Sequence, residues 1–571
     1  MIPSTAPSAP VAPWREQAFI YALALVVALL SLLPLLRLVF EGVVQGGSPS
    51  LAAATKVLSA PGTWAALRNS LETSIGGTVL AVLVGGSVAL LVSLTDIRAR
   101  GAFVFCFVLP LMIAPQVTAL AWLQVTGTSS PLLKLLGLAP PLGTRNPLYS
   151  REGIVALLGL QYAPLVFLTL RAGLRSLPRE LIEAGLAAGA GPLTVLRTIV
   201  VPVMTPPLVA GVALAFVSCI GNFGIPAFLG IPGRYTVLPT LIYQRLSGMG
   251  PGVLSEVAIL SLLIGAVAMI GIVVQDYMLR RRDFRITAST PGAQPFELGA
   301  WRLPVEILLW ASILAVLIVP FLGLFLTSLV PAFGVPLNAA TATLGNYAFV
   351  LFEHAATRRA FLNSVLLSGA AAGLIAAICI PLAYFVVWRR TRMLRALNIV
   401  AEMPYALPGV VLAIAAILLF LKPLPLLGVS LYNTIWIIFF AYLARFLVLG
   451  LRPVVSGYHQ LDRALEEAAQ VAGAGLLFRL RTIVVPLVAP AAAAGAILTF
   501  LTAFNELTVS ALLWSSGAET LGVVVFSFEQ GGDSTYAAAI SVLTVLVTLA
   551  VMLALAVAAR RLPPGVLPWR D

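Results

Sequence analysis

The sequence predicts an all-α, polytopic membrane bundle of about twelve transmembrane helices in two homologous six-helix halves, and three observations predict it. Hydrophobic residues fill 60% of 571 positions, charged residues only 10%, and the mean hydropathy is +1.02. Ordinary globular chains are about half apolar and about a quarter charged. Apolar runs recur along the chain, and about 20 such residues cross a hydrocarbon core. In lipid their backbone groups must be satisfied within the segment, which selects helices. The third observation is a repeat: the six residues Arg197 to Pro202 recur letter for letter as Arg481 to Pro486.

The elements follow in order. Residues 1–16, rich in Pro, Ala and Ser, read as a disordered arm. The apolar run after it is too long for a signal peptide and lacks a convincing small-residue cleavage site, so it reads as a retained first helix. Spans are expected near 18–40, 70–95, 102–125, 152–174, 204–228 and 255–278, then near 305–330, 361–388, 394–421, 431–452, 487–514 and 537–559. A first unit thus covers 17–278 and a second 305–561, joined by a linker at 279–304 that holds Arg280–Arg282, Pro291, Gly292 and Pro295. A tail, 562–571, closes the chain. Asn69-Ser70 and Asn363-Ser364 open the second and eighth spans, where they read as helix-capping residues. Pro110 and Pro115 in the third span, and Pro404 and Pro408 in the ninth, are places for bends that are either packing kinks or gates.

The formal net charge of +13 does not point to nucleic acid. Its arginines stand at the ends of apolar runs, as in Arg280–Arg282, Arg389-Arg390 and Arg560-Arg561, instead of forming one basic face. That is the positive-inside pattern. With both repeated loops inside, the inner side gains the arginine excess and both termini are cytoplasmic. Cys106, Cys219 and Cys379 lie in apolar stretches without paired spacing and read as small core residues. His354 has no second ligand at metal-site spacing and reads as a surface residue.

The repeat frames a polar loop between the fourth and fifth helix of each half, at 175–203 and 453–486. The offset is constant, since 467 − 183 and 486 − 202 both equal 284. In the second copy Asp462 is placed to cap a short helix, with Glu466 and Glu467 in its first turns where carboxylates favour the dipole. Ala468, Ala469 and Ala472 offer a face of small residues, and Gly473-Ala474-Gly475 permits a turn. The first copy begins at Pro178 and keeps Arg179, Glu183, Ala184 and Gly189.

The spacing Glu-Ala-Ala, three residues, Gly, nine residues, Ile, one residue, Leu-Pro is the signature of binding-protein-dependent ABC importer permeases. The sequence resembles that family at Glu467, Ala468, Ala469, Gly473, Ile483 and Pro486, with Val485 in the Leu place. The first copy matches with two departures, Gly185 for the second Ala and Val201 for Leu. The resemblance implies the type I importer permease fold in a fused two-unit form, in a bacterial cytoplasmic (inner) membrane. It implies that Glu183, Ala184 and Gly189, and Glu467, Ala468, Ala469 and Gly473, dock a cytoplasmic ABC ATPase present in two copies. A separate solute-binding protein delivers the substrate. The chain has no Gly-x-x-x-x-Gly-Lys-Ser/Thr loop, so ATP and Mg are expected on the partner ATPase, with no cofactor or metal in this chain and no enzyme activity of its own.

Residues 221–226, 233–236 and 505–510 look like those of ferric-iron permeases, which makes ferric iron the expected cargo, with thiamine and phosphonate as alternatives. Asn222, Asn505 and Glu506 are candidates for the translocation pathway, because polar groups inside a membrane are costly. Glu506 either lines the route or pairs with Arg445 as a lock. Glu402, near the start of the ninth span, is a weaker candidate that fits an interfacial position. A gradient-driven secondary transporter is the rival class, but it has no need of two docking loops and more often shows paired acids or interrupted helices at the midplane. A membrane enzyme would need clustered carboxylates or histidines near one face, which the sequence lacks.

Overall fold

The computed structural model describes residues 13–45, 48–141, 143–248, 250, 252–280, 296–389, 391–423 and 428–558. Most of the expected arm, the linker at 281–295, Arg390, Arg560-Arg561 and the tail lie outside the described residues. The arm is shorter than expected. Helix starts at Pro13, a residue that suits a first turn because its missing N–H needs no partner there. Helix also enters the linker region from both sides, at Leu279-Arg280 and from Gly299.

Twelve spans run through the described chain when each bent pair is taken as one. Nine are continuous by length and apolarity, from Glu16–Val43 to Ser534–Ala554. The third, fifth and ninth are broken. Arg100–Met112 meets Pro115–Leu135 at 100°, Pro192–Val203 meets Thr205–Ile220 at 68°, and Arg392–Ala406 meets Gly409–Phe420 at 105°. The prolines therefore mark near right-angle breaks in place of gentle kinks, with Pro115 in the first turn of the outgoing segment and Pro408 capping its counterpart. The fifth and eleventh spans end earlier than the hydropathy implies, at Ile220 and Phe504, and short helices follow at Gly224–Gly233, Ser510–Leu513 and Leu521–Gly531.

Four of the five π turns among the described residues have one local cause; the fifth, Phe349–Glu353, has no proline after it. Ala28–Leu32, Leu196–Val200, Leu314–Ile318 and Leu480–Val484 each end two residues before a proline: Pro34, Pro202, Pro320 and Pro486. Proline supplies no N–H and its ring crowds the carbonyl four residues back. The residue before it donates five residues back instead, as Val201 does to Leu196 O and Val485 to Leu480 O. The widened turn thus removes the clash. The Leu-Arg-Thr-Ile-Val run common to both halves adopts this turn twice.

Each half is built on a three-helix group, spans two, four and five in the first and eight, ten and eleven in the second. Glycines let these helices touch: a Cβ at Gly85 would lie 2.2 Å from Ala163 O. The remaining spans cross over. The first and sixth pack on the outgoing segment of the ninth, and the seventh and twelfth on that of the third, so each half clasps the other's broken helix.

The Asn-Ser pairs do not cap their own helices. Those helices start earlier, at Pro61 and Ala355, and the pairs fasten the loops that follow the short helices. Asn69 Nδ2 donates to Thr236 O (2.9 Å), and the Ser70 hydroxyl oxygen accepts from Leu238 N (2.7 Å). In the second half Asn363 Nδ2 donates to Glu519 O (2.9 Å), and Ser364 Oγ accepts from Leu521 N (2.9 Å).

Candidate functional site

The two loop elements share one local geometry. Arg179–Ala187 and Ala464–Val471 are short helices that end at Gly189 and Gly473, both with φ near +83°, a conformation glycine adopts without strain. Ala190 N donates to Gly185 O and Ala474 N to Ala469 O (3.1 and 3.0 Å), which closes the turn in both. Asp462 helps start the second helix by accepting from Ala464 N at 2.9 Å. Glu183, Ala184, Glu467 and Ala468 are exposed and Ala469 is half-buried. Each exposed glutamate pairs with the arginine one turn earlier, Glu183 with Arg179 and Glu467 with Arg463 (2.9 Å for the second). Apolar side chains stand in solvent beside them, with Leu181 and Leu193 in one element and Leu465, Val471, Leu477 and Phe478 in the other. Gly185 has a packing reason: a Cβ there would lie 2.8 Å from Ile199 Cδ1, so the first copy seats its helix closer than alanine permits.

The seats beneath the two helices differ. Glu466 is only 4% exposed and Arg479 3%, although both lie in a surface loop. Arg479 Nη1 donates to Glu466 Oε1, and Tyr384 Oη on the eighth span donates to the same oxygen at 2.8 Å. At the same offset the first copy has Ile182 and Val195, both buried. Leu90, counted from Asn69 as Tyr384 is from Asn363, belongs to the same apolar cluster. A buried charged pair in one half is thus replaced by hydrocarbon in the other. The sequence reading treated Glu466 and Glu467 alike and missed this.

The second candidate region is where the helix breaks meet. Gln161 Nε2 on the fourth span donates to Pro110 O (2.7 Å) and Ile113 O (3.2 Å), carbonyls exposed by the break in the third. Arg445 stands at the same offset on the tenth span, beside the break in the ninth: a Cβ on Gly409 would lie 1.9 Å from its Nη1. Asn505 Nδ2 donates to Met112 O (3.0 Å), and Gln116 Nε2 to Asn505 O (3.3 Å), tying the eleventh span's end to the third span's break. Gly221 in turn lies against Pro408. Phe223, Phe228 and Tyr243 of the first half close on Phe526 of the second, with ring centroids 5.6 to 5.8 Å from it. A cavity of about 260 Å³ opens beside the third span's break, lined among others by Pro110, Ile113, Trp122, Gln161 and Phe321.

Asn222 and Glu506 occupy equivalent positions and do equivalent work. Asn222 Oδ1 accepts from Ile225 N (2.9 Å), and its Nδ2 donates to Tyr162 Oη (2.8 Å). Glu506 accepts from Val509 N (2.8 Å) and Ser510 N (3.1 Å). Each side chain therefore caps the short helix that follows its break. The lock considered between Glu506 and Arg445 takes another form. Backbone amides hold the carboxylate, and Arg445 Nη1 has no hydrogen-bond partner among the described residues. Glu402 pairs with Arg452 at 3.1 Å on the surface. His354 starts the eighth span, with Nδ1 accepting from Thr357 N.

Comparison with known proteins matches two stretches, residues 81–286 and 369–567, to the family described as binding-protein-dependent transport system inner membrane component. The chain is 29% identical over 512 residues to the "Probable ABC transporter permease protein y4fN" of Sinorhizobium fredii, covering 88% of each. It is 26% identical over 488 residues to the ferric transport system permease protein FbpB of Actinobacillus pleuropneumoniae, covering 84% of this chain and 69% of that one. With the Fe(3+)-transport system permease protein FbpB 2 of Haemophilus influenzae it shares 23% identity over 540 residues, 92% and 95% of the two chains.

Proposed function

The chain belongs to the binding-protein-dependent transport system inner membrane components, and from that premise we propose that it forms the whole translocation pathway of an ATP-driven importer whose cargo is ferric iron. It is a multi-pass inner-membrane ABC permease in fused two-unit form, since the family pattern occurs twice in one chain. The observation that carries the mechanism is the duplicated loop, with a paired glutamate, small residues and exposed apolar side chains at matched places in both halves. That surface fits a groove on a cytoplasmic ATPase, a helix-in-groove contact. In this reading Glu183, Ala184 and Gly189 dock one ATPase copy, and Glu467, Ala468, Ala469 and Gly473 dock the other. Both loops and both termini then face the cytoplasm, ATP and Mg belong to the ATPases, and a solute-binding protein loads the outer face.

Closure of the ATPases pulls the loops, and the broken third and ninth spans swing about Pro115 and Pro408 to open the ring of breaks. Asn222, Asn505 and Glu506 border that ring and so border the path. Iron is favoured by the ferric permeases among the relatives, and selectivity rests mainly with the binding protein. The test is to purify the permease–ATPase assembly in lipid and measure ATPase stimulation by binding proteins loaded with ferric iron, thiamine or a phosphonate. Stimulation by the ferric form alone is the expected result. Stimulation by another loaded protein reassigns the cargo, and transport by this chain alone under an ion gradient overturns the importer reading.

A further inference from the structure

We infer that the groove between the second and fourth spans holds one phospholipid with a zwitterionic headgroup, a phosphate joined to an ammonium, and seats its acyl chain along the two helices. A hollow of about 780 Å³ opens there, lined by Leu67, Leu71, Ile75 and Leu80 of the second span and by Val155 and Ala156 of the fourth. Gly76 keeps its floor low, since a Cβ there would lie 3.1 Å from Val155 Cγ1. Leu67 to Leu80 is about 20 Å of helix, which matches one leaflet with its headgroup layer. Four charged residues, Arg68, Glu72, Arg151 and Glu152, stand at the head of the groove. That head lies at the end of the bundle away from the docking loops, because the fourth span runs from Arg151 to Arg175 and enters the first loop from there. On the orientation proposed above this is the outer leaflet, but the site itself does not depend on which way the loops face.

Lipid is what meets this face. Arg68 and Glu72 share one helical stripe with Trp64, Ile75, Val79 and Leu83, and those four apolar side chains are all exposed. Charges on a lipid-facing stripe are costly unless headgroups cover them, and a tryptophan at that level is the usual marker of the interface. The charges are only partly spent on one another. Glu72 accepts from Arg68 Nε (2.7 Å), Arg151 Nη1 (3.5 Å) and Tyr235 Oη (3.4 Å). Arg68, with its side chain 79% exposed and only Nε engaged among the described residues, keeps its forked Nη donors for a phosphate. Glu152, 71% exposed and paired with Arg151 alone, keeps acceptor capacity for an ammonium. Two arginines and two glutamates sum to zero, so they complement a headgroup of zero net charge, whereas an anionic one leaves the glutamates opposed. The fold does not require these charges. In the second half hydrocarbon takes all four places: Leu362 and Leu366, counted from Asn363 as Arg68 and Glu72 are from Asn69, and Ile435 and Trp436 at the 284-residue offset.

The experiment is native mass spectrometry of the full chain, purified in detergent and incubated with phosphatidylethanolamine, phosphatidylglycerol or diacylglycerol of the same acyl chains. One phosphatidylethanolamine per chain is expected to survive activation that strips the other two, a several-fold difference in occupancy. Equal occupancy by the three lipids, or preference for phosphatidylglycerol, overturns the inference. Arg68→Gln combined with Arg151→Gln is expected to lower phosphatidylethanolamine occupancy to the diacylglycerol level. Glu152→Gln is expected to shift the preference toward phosphatidylglycerol. Ala156→Leu, which fills the groove and leaves the headgroup contacts in place, is expected to lower occupancy several-fold. Arg68, Arg151 and Glu152 are all exposed, so their variants should keep the parent thermal transition, and that transition is measured alongside. Phosphatidylethanolamine retained by the double arginine variant as firmly as by the parent would place the lipid elsewhere and overturn the site.

Discussion

Two neighbouring glutamates, Glu466 and Glu467, show how much a single position decides. Glu467 faces solvent in a pair with Arg463, while Glu466 is buried under Arg479 and Tyr384. On the docking proposal, Glu467→Arg reverses the charge offered to the ATPase, a change that costs on the order of 2–5 kcal/mol if the lost pair is desolvated. Association measured by pull-down or calorimetry should fall more than about tenfold while the chain stays inserted. Glu183→Arg should act in the same direction. At the ring of breaks, Glu506→Ala removes the cap of the short helix Ser510–Leu513, a loss of about 0.5–2 kcal/mol. Uptake should slow while ATPase association persists, and release of the ATPase would show that Glu506 holds the assembly instead. The exposed, arginine-paired positions Glu183 and Glu467 were legible because the repeat quotes them twice in matched places. The buried partner was not, because two acids in one helical turn look alike until packing separates them. A signal did exist: Ile182 and Val195 occupy the two positions that Glu466 and Arg479 hold in the other copy, and paired apolar-for-charged exchanges mark a buried ion pair.

Among the elements, prolines were visible as breakers, but not the size of their effect. Proline frees carbonyls without saying what will satisfy them. Here Gln161 takes two of them, and the third span turns by 100°. Four of the five π turns among the described residues follow a tighter rule, each preceding a proline by two residues, while Phe349–Glu353 does not. Pro486→Ala restores an N–H and removes the ring clash, so Leu480–Val484 should relax to α-helix and turn the loop by roughly 100° relative to its span, one residue's rotation. Transport should fall with protein levels unchanged, and the cysteine-accessibility pattern over 487–495 should shift by one residue. An unshifted pattern would mean that packing, not proline, sets the turn. The spans themselves were read correctly in number and order, because length and apolarity are properties of the segment alone. The ends of the fifth and eleventh were overrun, since Gly221–Phe223 and Asn505-Glu506 stop the helix without interrupting the apolar run.

For the whole molecule, the sequence made two similar halves plain but not their exchange of partners. The first and sixth spans clasp the ninth, and the seventh and twelfth clasp the third, a pairing no local pattern encodes. It carries a prediction. If these contacts assemble the pathway, then residues 1–288 and 289–571 expressed as separate chains should associate and restore most of the transport. Separate, inactive halves would assign assembly to the covalent join. The cavity of about 260 Å³ beside the third span's break has another consequence. A hollow next to a hinge is where a larger side chain can be seated without displacing its neighbours, so Ala121→Leu on its wall should wedge the break and slow uptake while the ATPase stays bound. Uptake at the parent rate would mean that the third span does not bend there during transport.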